Sequence, residues 1–334
     1  MIAVDRWPLA CGAMAASALA SWRAIAYARR RRMLDLPGPR RNHACATPRG
    51  GGIAPVAVIV LAGVCVARAH HDPALASCAA ALAAVAAIGW VDDHRPLAAG
   101  WRLLVHVAAA IGAWIALVGV PHTVAACGVA MLGVFVIAGL TNAWNFMDGI
   151  DGLATSQAAG VLALPLLAGW LAGGWQLWCM LAVAALIGFF PYNAPRARIF
   201  LGDVGSGALG FLVAVVLLRV TMTGSLAFPL VLLPISAFVI DAGLTLAMRM
   251  ARGRRWWHPH REHLYQWLVR RRRPHATVAM AYAGWTVLAS LIAAAIDTQP
   301  PAVRWAVTFG VLSSGALTWI GLRRRIWIVH RAIR

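Results

Sequence analysis

Long apolar runs, broken by short polar segments, repeat from one end of the chain to the other. None alternates with period two, so helices are expected rather than the strands of a barrel. Each run approaches the roughly 20 residues a helix needs to cross a hydrocarbon core. Backbone groups in such a core must pair within their own segment. Eleven spans follow, near 7–27, 51–69, 74–91, 102–119, 122–141, 155–172, 175–192, 207–222, 226–248, 277–296 and 302–322. Trp7, Trp90, Trp101, Trp175 and Trp305 stand at span ends, where interfacial aromatics belong. The pattern predicts an all-α integral membrane protein. It is a bundle of about 11 transmembrane helices, a single polytopic domain over 1–334, with 249–276 as its largest soluble loop.

Composition sharpens this picture. Of 334 residues 61% are hydrophobic and 12% charged, where a soluble domain carries roughly 25% charged residues. The formal net charge is +19, and every basic side chain other than histidine is arginine. The absence of lysine excludes a lysine Schiff base and a P-loop lysine. In a chain this apolar, the basic excess points to anionic headgroups and phosphorylated substrates rather than nucleic acid. The six cysteines form no CxxC pair and read as small core residues. Arg29–Arg32 after the first span fit a retained helix better than a cleaved leader.

The arginines also orient the bundle. Twenty-five of the 30 fall in loops on one side, four (Arg6, Arg68, Arg219, Arg304) on the other, and Arg23 lies inside a span. The positive-inside rule then places the N-terminus in the periplasm and the C-terminus in the cytoplasm. Most acids collect on the arginine-rich side, so the chemistry is expected there. The run 270–273 reads first as an electrostatic anchor to anionic lipid.

Five constellations carry that chemistry. Asp92 and Asp93, in GWVDDHRPL, are costly at a membrane edge unless solvated, paired or metal-bound; a polar helix cap is the plain alternative. Asn142, Asn145, Asp148 and Asp151 recur every three residues, which on a helix sets two amides and two carboxylates along one side. Such a strip suits Mg²⁺ or a phosphorylated, hydroxyl-rich ligand. In RARIFLGDVGSGALG, Gly202 and Ser206 flank Asp203 just before a span, a place where backbone N–H groups receive anions; a plain capped turn has the same appearance. His258, His260 and His263 stand with Arg261 in WWHPHREHLYQ. No cysteine completes a zinc set, so phosphate binding or neutralisation is the better reading. Asp241 lies inside a span, either as a functional acid or as a structural partner.

Together these pieces resemble the polyprenyl-phosphate N-acetylhexosamine-1-phosphate transferases (glycosyltransferase family 4). The matching stretches are NHACATPRGGGIA (42–54), VDDHRPL (91–97), NAWNFMDGIDGLA (142–154), YNAPRARIFLGDVGSGALGF (192–211) and Asp241 to Gln266, in family order. The resemblance implies a cytoplasmic active-site cleft in a bacterial inner-membrane enzyme. It implies transfer of sugar-1-phosphate from a UDP-N-acetyl sugar to undecaprenyl phosphate with release of UMP, dependent on Mg²⁺, with Mn²⁺ as the substitute. By it, Asp203 looks like the main metal ligand, joined by Asp148, and Asp92 and Asp93 look like the pair that positions or deprotonates the lipid phosphate. Asp148, Asp151, His260 and His263 complete the catalytic set. Asn142, Asn145, Asn193, Gly202, Ser206, Arg261 and Arg49 would contact substrate. The HREHLYQ form resembles the O-antigen-initiating branch. The peptidoglycan branch, the phospho-N-acetylmuramoyl-pentapeptide transferases, carries a tighter histidine cluster and lysines near the first motif. A homodimer stays open. A transporter or lipid flippase, the competing class, would place charge near mid-membrane, whereas these acids gather at one face.

Overall fold

α8 (Gly202–Met222) is the axis of the molecule: every residue from Val204 to Leu217 is buried. A helix apolar all round belongs at the centre of a bundle, and α3 (Pro73–His94), α5 (Val124–Met147), α6 (Leu153–Leu167) and α2 (Ile53–His70) surround it. α1 (Trp7–Arg30) and α7 (Gly173–Asn193) pack as a pair beside α2. α4 (Ala99–Leu117) closes against α3 and α5. α9 (Leu232–Ala251), the short α10 (Leu264–Arg270), α11 (His275–Ile296) and α12 (Pro301–Ala332) form a second group, joined to the first through α5 and α6. A two-residue pairing, β1 (Leu34–Asp35) with β2 (Thr47–Pro48), is antiparallel, Leu34 opposite Pro48. The computed structural model describes residues 6–35, 46–254 and 260–332, with side chains as far as Arg325. Asp5, Arg40, Arg41, the start of the 42–54 motif including Cys45, and His258 lie outside the described residues.

Among the described residues ten helices are long and apolar enough to cross a membrane. The eleventh expected span is α6, of 15 residues. At about 1.5 Å per residue it measures roughly 22 Å, short of the roughly 30 Å hydrocarbon core. It nevertheless runs from end to end. Thr155 at its start bonds Asn193 at the end of α7 (2.9 Å), and beyond its other end Trp175 bonds Asp72 (2.9 Å). The described residues thus hold ten such helices and the shorter α6, where the sequence pattern predicts eleven spans.

Boundaries differ where small residues or prolines intervene. α8 begins at Gly202 rather than 207, because GDVGS, polar in sequence, is packed as helix among other helices, where small residues permit close approach. α9 starts at Leu232 rather than 226, after the turns around Pro229, which has no N–H to give a helix. Asp72 caps α3 by accepting from Leu75 N (2.9 Å), and Thr123 caps α5 by accepting from Ala126 N (3.1 Å).

One close approach sets the position of the acids on α3. A Cβ on Gly89 would collide with the backbone carbonyl of Asp203. Gly89→Val is therefore expected to push α3 off α8, at about 1–3 kcal/mol for overpacking. Thermal unfolding of the purified protein and its turnover should both fall. A variant equal to the parent in both would show that α3 and α8 do not need this contact.

Candidate active site

Asp93 builds the site. Its carboxylate accepts from the backbone N–H groups of Asp203 (3.2 Å) and Val204 (3.1 Å), and so caps the N-terminus of α8. It is 3% exposed. Gly202, immediately before Asp203, has φ +75°, and a Cβ there would stand 2.6 Å from Asp93 Oδ2 and 2.8 Å from Gly50 Cα. Only glycine satisfies both the left-handed backbone and that space. The 50–52 glycines zip onto the same strip: Gly51 N donates to Phe200 O (2.8 Å) and Gly52 N to Leu201 O (2.7 Å). Arg49, at the edge of that strip, donates to the backbone carbonyl of Asp93.

The cap turns Asp203 outward. Its side chain is 31% exposed, against 10% for Asp92, so Asp203 is the more accessible carboxylate. Asn145 Nδ2 donates to Asp203 Oδ1 (2.6 Å) and to Ser206 Oγ (3.1 Å). Arg102 Nη1 donates to Asp203 Oδ2 (3.1 Å) and to Asp92 Oδ2 (2.9 Å), bridging the two acids. Asp92 is fixed from its other oxygen by Leu97 N (2.6 Å). Asp148, immediately after α5, accepts from the Gly202 N–H. Burial, then the negative charges of Asp203 and Asp93, push its carboxyl well above the ordinary aspartate range.

The four-residue strip does not run along one helix. α5 ends at Met147, and Gly152, with φ +72°, starts α6 after a turn. Only Asn142 and Asn145 share a helix face. Asn142 donates to Ala138 O (2.7 Å) and hydrogen-bonds His106 of α4. Asp151 accepts from Ala197 N (3.2 Å) and meets His275 Nδ1 (3.2 Å). Asn193 is also turned inward: 3% exposed, it accepts from Thr155 and donates to Ile199 O (3.2 Å). Its contacts fix the 194–199 turn, where the resemblance implies a substrate contact.

The histidine loop is anchored from below. Asp241, 1% exposed, accepts from Leu264 N (2.7 Å), Tyr265 N (3.2 Å), the Tyr282 hydroxyl (2.7 Å), the Trp319 indole (2.9 Å) and Thr245 (3.3 Å). Of its two sequence readings, structural partner is the one these contacts describe. Tyr265 donates onward to Phe146 O (2.9 Å), joining the loop to the end of α5. Glu262 pairs with Arg249, Arg254 (2.8 Å) and Arg323 (3.8 Å). His263 is 2% exposed, its ring stacked on those of Phe146 and Tyr265. His260 packs on His263 with ring centroids 4.9 Å apart. Burial, with His263 and Arg249 nearby, takes the imidazole of His260 down to about 4. At neutral pH both rings are uncharged, so they do not neutralise phosphate as cations. Arg261, half-buried beside them, is the neighbouring cation in this loop.

The sign of the resulting pH effect is fixed. A group whose folded pKa is lowered and whose charged form is cationic resists folding once the unfolded chain takes up its proton. For His260 that window runs from 6.5 down to about 4. Amide exchange across 260–270 should accelerate as pH falls through it, and His260→Gln should flatten that response. Exchange that is pH-independent in the parent, once intrinsic rates are removed, would contradict this reading.

Arg102, His106, His275 and Glu262 are the residues that sequence reasoning passed over. A signal existed for two of them, since Arg102 and His106 lie four apart on the helix that follows the Asp92–Asp93 pair.

The donor set suits a hard cation. Among the described residues no three His, Cys, Asp or Glu side chains converge as a preformed metal cage. Mg²⁺ does not require one; it keeps several waters and binds through one or two carboxylates plus substrate phosphates. Asp203, bridged to Asp92 by Arg102 and with Asp148 close by, provides such oxygens.

Residues 75–221 match the model of glycosyl transferase family 4. That stretch contains the carboxylate cluster and ends before the histidine loop. The chain is 27% identical over 253 residues to a probable undecaprenyl-phosphate N-acetylglucosaminyl 1-phosphate transferase of Bacillus subtilis (strain 168), covering 71% of this chain and 69% of the relative. It is 32% identical over 198 residues to a phospho-N-acetylmuramoyl-pentapeptide-transferase of Synechococcus sp. (strain JA-3-3Ab), covering 52% and 56% respectively. A Clostridium novyi (strain NT) protein of that same name is 34% identical over 119 residues, 35% of each chain. The match thus spans about a third to little more than half of these pentapeptide transferases.

Proposed function

We propose that the chain is a member of glycosyl transferase family 4, whose model its residues 75–221 match, and that it moves an N-acetylhexosamine-1-phosphate from a UDP-sugar to undecaprenyl phosphate, releasing UMP. The observation that carries this reading is the accessible Asp203 carboxylate at the N-terminus of α8, framed by Arg102, Asn145, Asp92 and Asp148. The cell-surface pathway proposed is the initiation of an O-antigen-type polysaccharide, at the cytoplasmic face of the inner membrane.

An oxygen of the lipid phosphate attacks the phosphorus joined to the sugar. The bond from that phosphorus to the bridging oxygen breaks, and UMP leaves with that oxygen. Both reactants are anions, so lowering their repulsion is the principal task. A phosphate monoester has its second pKa near about 6 and is mostly ionised at neutral pH, so a strong base is not required. Asp203 and Asp148 would hold Mg²⁺, which when bound supplies positive charge to the diphosphate. Asn145 and Ser206 orient Asp203, and Asp93 fixes the helix end on which it stands. Arg102 holds Asp92 beside Asp203. Arg49 and Arg261 stand at the edges of the site and are assigned to phosphate.

The test is UMP release by the purified protein given undecaprenyl phosphate, Mg²⁺ and a panel of UDP-N-acetyl sugars that includes UDP-N-acetylmuramoyl-pentapeptide. Release that requires lipid, metal and one simple UDP-N-acetyl sugar is the expected result. Release only with the pentapeptide donor would move the chain to the peptidoglycan branch. No release from folded protein with any donor would refute the assignment.

A further inference from the structure

Away from the carboxylate cluster, α9, α11 and α12 enclose a crevice of about 160 Å³ that is closed at the loop end by α10. Its walls are apolar: Ile240, Leu268, Ala281, Trp285, Gly315 and Leu322. The polar groups it touches already have partners. Tyr282 and Trp319 both donate to Asp241, and Thr318 donates to Ser314 O (2.8 Å). Nothing in the crevice calls for a polar ligand. An apolar cavity of roughly 150 Å³ stays dry and accepts a benzene-sized group, so this one has room for a short length of hydrocarbon. The helices that form it carry mostly exposed apolar faces, so lipid chains reach its mouth.

The rim says which lipid. Leu268 stands two residues before Arg270, and Leu322 one before Arg323. Arg272 and Arg273 just after α10, and Arg324 and Arg325 in the last third of α12, are exposed. The acid placed there, Glu262, is already paired with Arg249, Arg254 and Arg323. We propose that the crevice seats part of an acyl chain of an anionic phospholipid, with the arginines that follow α10 and Arg324 and Arg325 of α12 meeting its headgroup. Asp241 lies in the crevice wall and also holds the first turn of α10, so the bound lipid supports the histidine loop. The crevice shares no lining residue with the Asp92–Asp203 cluster.

The experiment is native mass spectrometry of the delipidated full-length protein, titrated with phosphatidylglycerol or phosphatidylcholine. The parent is expected to retain one phosphatidylglycerol in preference to phosphatidylcholine. Ala281→Phe with Thr318→Trp, which fills the crevice, is expected to lose it. Arg324→Gln with Arg325→Gln, confined to the exposed rim, is expected to weaken retention roughly tenfold, since each arginine near an anionic headgroup counts. Equal retention of the two lipids, or a folded crevice-filled protein that still holds the lipid, would overturn the proposal. So would one-for-one displacement of phosphatidylglycerol by undecaprenyl phosphate, which would give the crevice to the acceptor. Should the filled variant misfold, the arginine pair decides alone.

Discussion

Asp203→Asn is expected to fold as the parent does and to lose turnover by about 10²–10³-fold, the usual effect of removing one preorganised electrostatic group. The substitution is nearly isosteric. Asparagine still offers an oxygen to Asn145, whose amide lies 2.6 Å from Asp203 Oδ1, and leaves the capping bonds of Asp93 to the backbone untouched. What disappears is a negative charge at oxygens more accessible than those of Asp92, and with it the attraction for a divalent cation. Steady-state UMP release against Mg²⁺ concentration should show a reduced maximum and a higher metal requirement, with an unchanged thermal unfolding midpoint. Full turnover at the parental Mg²⁺ dependence would remove Asp203 from the chemistry.

Asp241→Ala is expected to act through the fold. The carboxylate is 1% exposed and takes five hydrogen bonds from α9, α10, α11 and α12. Deleting it strands the Tyr282 hydroxyl, the Trp319 indole and two backbone N–H groups. Removing one partner of a buried charged network costs about 3–5 kcal/mol. Thermal unfolding should show that loss, and amide exchange should rise across 260–270 before the rest of the bundle opens. Asp241→Asn, keeping an acceptor oxygen, should fall between. A protein as stable as the parent after Asp241→Ala would show that the network does not hold the loop.

The bundle was legible because each traverse is written locally, as a run of apolar residues long enough to cross. The ordered motifs likewise placed the acids at one end. What escaped was tertiary. The spacing of Asn142, Asn145, Asp148 and Asp151 fits a helix, but α5 stops at Met147 and sends Asp148 toward Gly202 and Asp151 toward His275. Arg102 carries no local mark of bridging Asp92 to Asp203, which is 101 residues away in sequence. His263 looks like an exposed loop ligand until Phe146 and Tyr265 close over it. Asp241 showed that it was unusual, by its depth in an apolar helix, but its partners come from three other elements.

The central claim is that the carboxylate cluster transfers a phosphoryl group together with its sugar. The most direct measurement uses UDP-N-acetylglucosamine labelled at the phosphorus attached to the sugar, incubated with the protein, undecaprenyl phosphate and Mg²⁺, then partitioned between organic and aqueous phases. The account predicts label in the lipid phase and unlabelled UMP in the water, with Asp203→Asn showing neither. Label left in the water as UDP, with sugar alone moving to the lipid, would contradict it.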